Sequence, residues 1–158
     1  MSPINLKRLI SAIAIPELVG AASAFITGNM GEAYNSYNRP PLSPPGIVFP
    51  IVWVILYALM GIASYLVVES RTATEEEKRK ALVLYGVQLG VNFIWPIIFF
   101  KFEAYNLAAV VIVILLILVV ITAFMFRKIN ITAFRLMIPY ILWLAFATYL
   151  NIGVAVLN

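Results

Sequence analysis

Five long apolar runs, separated by short polar stretches, organise this chain. A helix needs about 20 mostly apolar residues to cross the ~30 Å hydrocarbon layer of a membrane. The central segments of the last four runs contain no Asp, Glu, Lys or Arg, and that of the first contains one acid, Glu17. The pattern predicts an all-α membrane protein, a five-transmembrane-helix bundle in one domain, with spans at about 8–27, 47–68, 81–100, 104–126 and 134–157.

The first run has a second interpretation, as a cleaved signal peptide. Lys7 and Arg8 give it a basic start, and the small residues at 21–24 resemble a cleavage site. Pro16 and Glu17, however, interrupt its apolar stretch after about seven residues. We therefore favour a membrane span.

Lysine and arginine are distributed unevenly between the two sides of the predicted bundle. Nine lie on one side, and only Arg39 and Lys101 lie on the other. Because cytoplasmic loops carry an excess of basic residues, this count predicts an integral protein of the cell membrane with a cytoplasmic N-terminus. The segment 74–80, TEEEKRK, is expected to extend a helix into water with Glu–Lys pairs on its surface.

The only long connection lies between the first two spans, at residues 28–46. It reads GNMGEAYNSYNRPPLSPPG, and its proline pairs favour a stiff, extended path. Long loops in compact folds are usually lids, binding loops or disordered segments. No internal repeat is visible, which disfavours an inverted-repeat transporter.

Composition narrows the possible chemistry. Of the 158 residues, 63% are hydrophobic and 11% charged, and Cys, His and Asp are absent. These absences argue against Cys/His metal sites, Ser–His–Asp catalysis and the common haem ligands, so we expect no metal and no cofactor. The net charge of +4 lies beside the apolar runs, so it indicates membrane topology rather than a nucleic-acid partner.

The few polar and aromatic residues of three spans recur at helical spacing. The faces they form are Trp53, Tyr57, Gly61 and Ser64; Gln88, Asn92, Trp95 and Phe99; and Tyr140, Trp143, Ala147 and Asn151. Amides in a bilayer should face the bundle interior, where they either join helices or line a ligand cavity. Aromatic residues can also anchor a helix at the headgroups. Prolines in or beside four spans bend helices and favour a cavity, whereas the uniformly apolar fourth span is expected to face lipid.

Two further features allow two interpretations each. Gly86 and Gly90 form a GxxxG pattern, which marks either a dimer face or packing inside the bundle, and Gly20 with Ala24 is a weaker version. Glu17 is either a functional group or a carboxyl near a kink that bonds backbone groups freed by Pro16 or is protonated.

Motifs along nearly the whole chain, in order, resemble the tryptophan-rich sensory protein/translocator protein family (TspO/MBR, the peripheral-type benzodiazepine receptors). The motifs are Pro41-x-x-Pro44-Pro45, Val48-Phe49-x-x-Val52-Trp53-x-x-Leu56-Tyr57-x-x-Met60-Gly61, Asn92-x-x-Trp95-x-x-x-Phe99-Phe100 and Pro139-Tyr140-x-x-Trp143-x-x-Phe146-Ala147-x-x-x-Asn151.

The resemblance implies a five-helix bundle, often a homodimer, with a pocket under the first loop, which would act as its lid. In the family that pocket binds porphyrins such as protoporphyrin IX and benzodiazepine- or isoquinoline-type drugs; some relatives bind cholesterol, and bacterial members promote light- and oxygen-dependent porphyrin breakdown. By this resemblance we expect Trp53 and Trp143 to take part in any porphyrin chemistry. The expected ligand-binding residues are Tyr34, Pro41, Pro45, Trp53, Tyr57, Asn92, Trp95, Trp143, Phe146, Ala147 and Asn151.

The chain departs from the family pattern in its first loop, which contains no Trp, and in its C-terminal tail. Residues 152–158 contain no Lys or Arg, which the proposed cholesterol motif requires, so we do not predict cholesterol as the native ligand. A porphyrin-handling sensor is the favoured function. A transporter of lipophilic ligands such as porphyrins or sterols is the alternative, and a structural protein with anchoring aromatics is the third.

Overall fold

The structure, a computed structural model, describes residues 3–158 and consists almost entirely of helices. No β-strand occurs within these residues, so the predicted all-α fold is confirmed. The elements are α1 (Leu6–Thr27), α2 (Met30–Ser36), α3 (Val48–Val68), α4 (Glu75–Pro96) with a π-helical turn (Ile97–Lys101), α5 (Tyr105–Ile129) and α6 (Ile131–Leu157). All except α2 are long and apolar enough to cross a membrane, α4 together with its π-helical turn.

Local capping determines where several helices begin. The side chain of Asn5 accepts a hydrogen bond from the backbone N–H of Arg8 at 3.2 Å, so α1 starts before its apolar run. Thr74 and Glu77 form a reciprocal capping box at the start of α4. The charged segment ahead of the third apolar run is therefore helical, as predicted, and Glu75–Lys78 and Glu76–Lys80 pairs lie on its surface.

The five long helices pack as a ring. In this ring α1 lies between α3 and α4, α6 lies between α3 and α5, and α4 also contacts α5. The outer face of α5 exposes apolar side chains such as Val110, Ile117 and Ile121, whereas Ile112 and Val119 are buried on its inner face. The fourth apolar run was expected to face lipid, and one side of α5 is exposed in the way that this expectation requires.

The bundle has two different ends. We call the end that carries residues 28–47, the α4–α5 turn and the last turn of α6 the lid end, and the opposite end the basic end. Near the basic end, side chains from four helices form a closed core that includes Met60, Val67, Phe126 and Met137, all fully buried. Close packing of this kind leaves no room for a ligand.

The connection at the lid end is only partly extended. Residues 30–36 form the short helix α2, which was not predicted; Asn29 caps it by accepting a hydrogen bond from the backbone N–H of Glu32 at 3.2 Å. The proline-rich residues 37–46 contain no helix and run across the lid end. The stiff, extended path predicted from the proline pairs therefore describes only the second half of the connection.

Candidate ligand-binding cavity

A cavity of about 750 Å³ lies inside the lid end of the bundle. Its walls come from α1, α3, α4 and α6, its roof comes from α2 and the adjacent loop, and α5 contributes no lining residue. Small-molecule sites in proteins usually measure about 300–1,000 Å³ and are lined mainly by apolar and aromatic side chains. The cavity therefore has the size and character of a ligand site.

Seven of the residues expected at a ligand site line this cavity, and all three tryptophans of the chain are among them. They belong to four different helices, so only the folded bundle brings them together. The seven are Tyr34, Trp53, Tyr57, Asn92, Trp95, Trp143 and Ala147.

The other four expected residues lie outside the cavity lining. The carbonyl of Pro41 accepts a hydrogen bond from the Tyr149 hydroxyl at 2.7 Å, and that of Pro45 accepts one from the backbone N–H of Val48 at 3.0 Å. Phe146 packs beside Trp143, with ring centroids 5.7 Å apart. These three residues thus support the loop and the wall.

Asn151, the fourth residue outside the lining, holds a wall residue in position. Its side-chain oxygen accepts a hydrogen bond from Trp95 Nε1 at 2.9 Å, and its amide nitrogen donates to the carbonyl of Tyr105 at 3.0 Å. Trp95 also stacks on Phe99, with ring centroids 5.1 Å apart. The indole of Trp95 is therefore fixed from two sides.

Trp53 and Trp143, the two residues expected to act in porphyrin chemistry, lie on α3 and α6. Trp53 contacts the ring of Tyr57, with centroids 5.5 Å apart, and Trp143 meets Phe49 in an edge-to-face contact at 5.7 Å. Aromatic pairs in these arrangements are favourable beyond the area they bury. The contacts hold flat faces in the cavity wall.

A chain of hydrogen bonds beneath these rings joins three helices. The Tyr57 hydroxyl donates to Asn92 Oδ1 at 2.9 Å, Asn92 Nδ2 donates to the Tyr140 hydroxyl at 2.6 Å, and that hydroxyl donates to Gln88 Oε1 at 2.8 Å. All four residues are buried, as expected for amides in a bilayer. This polar ladder leads from the cavity lining at Tyr57 and Asn92 toward the closed core.

Three buried polar atoms have no hydrogen-bond partner among residues 3–158. They are the Trp143 indole nitrogen in the cavity wall, and Tyr85 Oη and Gln88 Nε2 deeper in the bundle. Leaving buried donors unpaired is unfavourable, so the Trp143 nitrogen marks a place in the cavity wall where a bound molecule or water can complete the bonding.

Aromatic and cationic contacts shape the roof. The hydroxyl of Tyr34 donates to the carbonyl of Pro44, and the guanidinium of Arg39 lies 4.6 Å from the Tyr34 ring centroid. Tyr37 packs edge-on against Phe99. Burial raises the pKa of Tyr37 well above its usual value, so this phenol stays neutral at physiological pH.

The roof is fastened to the end of α6. Backbone N–H and carbonyl groups of Asn38 bond to the side chain of Asn158 at 3.0 and 2.8 Å. The buried ring of Pro40 lies directly against Gly153, where any added Cβ would overlap it. The loop therefore has a defined seat on α6 as well as internal stiffness.

Several lining residues were not expected from the sequence. Phe49 and Phe100 add aromatic surface, and Phe49 lies one turn before Trp53 on the same face of α3, a spacing that could have revealed it. The wall from α1 consists mainly of small residues beside Glu17, including Gly20 and Ala24. The spacing of polar and apolar residues does not reveal this wall, because much of α1 is exposed and its cavity side carries small residues rather than large apolar ones.

A ring of five apolar helices, four of which line an aromatic cavity, defines a multi-pass membrane protein with an internal cavity of about 750 Å³. The model of the TspO/MBR family matches residues 12–157 of the chain. The chain therefore belongs to the TspO/MBR family and is an integral membrane protein, which confirms the resemblance noted above.

Individual relatives agree with this assignment. The chain is 30% identical to the tryptophan-rich protein TspO of Archaeoglobus fulgidus over 155 residues, 98% of this chain and 99% of the relative. It is 34% identical to the translocator protein of Ovis aries over 127 residues, 80% of this chain and 75% of that protein. It is also 34% identical to the tryptophan-rich sensory protein of Cereibacter sphaeroides over 127 residues, 80% of this chain and 77% of that relative.

Proposed function

We propose that the cavity binds flat aromatic molecules, with protoporphyrin IX and benzodiazepine- or isoquinoline-type compounds as its ligand classes. The observation that carries this proposal is that all three tryptophans of the chain line one cavity of about 750 Å³. Stacking on the indole faces and burial of apolar surface favour a planar macrocycle. Family membership supports the same ligand classes.

A titration of tryptophan fluorescence tests the proposal directly. Because Trp53, Trp95 and Trp143 all line the cavity, a bound porphyrin should quench most of the emission with a saturable dependence on concentration. Trp143→Phe removes one indole of the wall and should weaken binding about threefold to tenfold, while Phe124→Leu on the exposed face of α5 should not. Emission that stays flat would favour the structural-protein hypothesis.

We further propose that Trp53 and Trp143 support light- and oxygen-dependent breakdown of bound protoporphyrin. The porphyrin absorbs the light and takes one electron from an indole, and the reduced ring passes that electron to oxygen, which becomes superoxide. The oxidised indole then recovers an electron from the porphyrin, so the net change is one-electron oxidation of the porphyrin by oxygen, and superoxide attacks the oxidised ring. The double change to Phe should keep the fold yet slow the light-driven loss of porphyrin absorbance. An unchanged rate per bound porphyrin would refute this role.

Transport of lipophilic ligands such as porphyrins or sterols is the alternative function. The cavity occupies only the lid end, and the core formed by Met60, Val67, Phe126 and Met137 fills the basic end. Passage through the bundle would require this core to open, so the geometry favours binding. Porphyrin flux into reconstituted vesicles distinguishes the two functions.

A homodimer through α4 is part of the proposed assembly. Gly86 and Gly90 are exposed, and a Cβ at either position would meet nothing within 4 Å, so this pair is not used for packing among residues 3–158. Small residues on an outer helix face let a second copy approach closely.

We also propose that the protein lies in the cell membrane with its basic end on the cytoplasmic side. Accessibility labelling of the single-cysteine variants Arg79→Cys, at the basic end, and Asn38→Cys, at the lid end, would check this orientation.

A further inference from the structure

We propose that Glu17 is a specificity-determining residue of the cavity: its carboxylate attracts a protonated nitrogen of a flat ligand and keeps ligand carboxylates away from the α1 wall. The inference rests on the proposed function, since it requires that the cavity hold a ligand. It adds a charge preference to a site otherwise defined by shape and apolar surface.

The position of Glu17 places it in the wall, in the middle of α1. It follows the buried Pro16 and is one of the residues that line the cavity. One turn later, Gly20 carries no side chain, and the ring of Tyr57 packs where a Cβ would be. This close contact between α1 and α3 holds Glu17 beside the aromatic wall.

Glu17 is the only carboxylate or basic side chain among the lining residues. Within residues 3–158 it has no hydrogen bond or ion pair, whereas Glu32, Glu69 and Glu77 each have a partner. A carboxylate placed among apolar helices needs a partner or stays neutral, and the cavity is where a partner can arrive.

Two basic side chains lie at the lid end of the bundle, outside the cavity lining. Arg39 stacks on Tyr34 in the roof, and Lys101 Nζ donates to the carbonyl of Ile26 at the lid end, at 3.2 Å. The surroundings of the cavity are thus polarised, with one acidic group in the wall at mid-span and basic groups beyond the lining, near the roof. A ligand with carboxylates should place them toward the roof, and a ligand with an ammonium group should place it at Glu17.

Three porphyrins with the same ring and different end charges make the test specific. They are protoporphyrin IX, a dicarboxylate; its dimethyl ester, which is neutral; and its bis-amide with ethylenediamine, a dication. Each is titrated against the wild-type protein in a non-ionic detergent by tryptophan quenching. The wild type should bind the dication more tightly than the dicarboxylate, and the reverse order would overturn the inference without any variant.

Glu17→Gln should lower the preference for dication over dicarboxylate about tenfold and change the affinity for the neutral ester less than twofold. Glu76→Gln removes the same charge at the basic end, far from the cavity, and should leave the preference as it is. An unchanged preference in Glu17→Gln, or an equal loss in Glu76→Gln, would falsify the inference. If the neutral ester fails to bind the wild type, the proposed function fails and the inference fails with it; if it binds and charge has no effect, only the inference fails.

Discussion

The two halves of the bundle use the same helices in opposite ways. Toward the basic end, side chains of α3, α5 and α6 pack into one buried cluster, in which Met60, Phe126 and Met137 are fully buried. Toward the lid end, large rigid rings such as Trp53 and Trp143 line the walls without filling the space between them. The comparison shows that one ring of helices is closely packed at one end and keeps a cavity lined by aromatic side chains at the other.

Prolines and the polar ladder mark the change from one half to the other. Pro50 in the first turn of α3 and Pro96 at the end of α4 both line the cavity, and the π-helical turn follows Pro96 directly. Pro96 removes a backbone hydrogen bond and redirects the helix, whereas Pro50 costs no intrahelical bond because the N–H groups of a first turn have no partner within the helix. Below them, Asn92 joins Tyr57 to Tyr140 and ties three helices together just where the solid core begins.

The largest effect is expected in the closed half. Met60→Ala removes a fully buried side chain from the core and should lower the free energy of unfolding by about 2–5 kcal/mol. Val54→Ala, at the exposed edge of the cavity on the same helix, should cost less than about 1 kcal/mol. Denaturation in detergent measures both, and equal losses would contradict a difference in packing between the halves.

The polar ladder comes next in size. Asn92→Leu leaves the Tyr57 and Tyr140 hydroxyls without one partner each, and should destabilise the bundle by about 1–3 kcal/mol. It should also weaken porphyrin binding, because the Tyr57 ring is then free to move into the cavity. Thr148→Ala, which loses only a bond to its own helix, is the control. Identical melting temperatures would show that the ladder does not hold the helices.

A change at the roof should affect binding more than folding. Gly153→Val places methyl groups where the Pro40 ring lies, so the loop must lift from α6. We expect the unfolding free energy to fall by only about 1 kcal/mol, while porphyrin affinity drops about tenfold. Gly31→Ala, whose Cβ would meet only Asn29, is the matched control. Affinity that is unaffected in Gly153→Val would show that the loop does not cover the ligand.

The smallest effect on stability is expected on the outer face of α4. Gly86→Leu adds a side chain to open space, so the monomer should change by less than about 0.5 kcal/mol. Cross-linking in vesicles should nevertheless show loss of the proposed dimer, since the two helices can no longer approach closely. A dimer that persists in Gly86→Leu would place the interface on another face.

Sequence periodicity predicted much of the bundle and part of the site. A spacing of three or four residues identifies one face of a helix, which is why Gln88, Asn92 and Trp95 all point inward as expected. It does not say which helix lies opposite, so neither the ring order nor the wall from α1 followed from it. Asn151 has the predicted spacing but lies outside the cavity lining, and its side-chain oxygen accepts a hydrogen bond from Trp95 Nε1.

Single-tryptophan variants provide the most direct measurement of the central claim, that one cavity holds the ligand. Each variant keeps Trp53, Trp95 or Trp143 and has Phe at the other two positions. Because all three indoles line the same cavity, protoporphyrin IX should quench each of them strongly, with dissociation constants that agree within about threefold. Quenching confined to one tryptophan, or three unrelated affinities, would show that the porphyrin binds elsewhere and contradict the account.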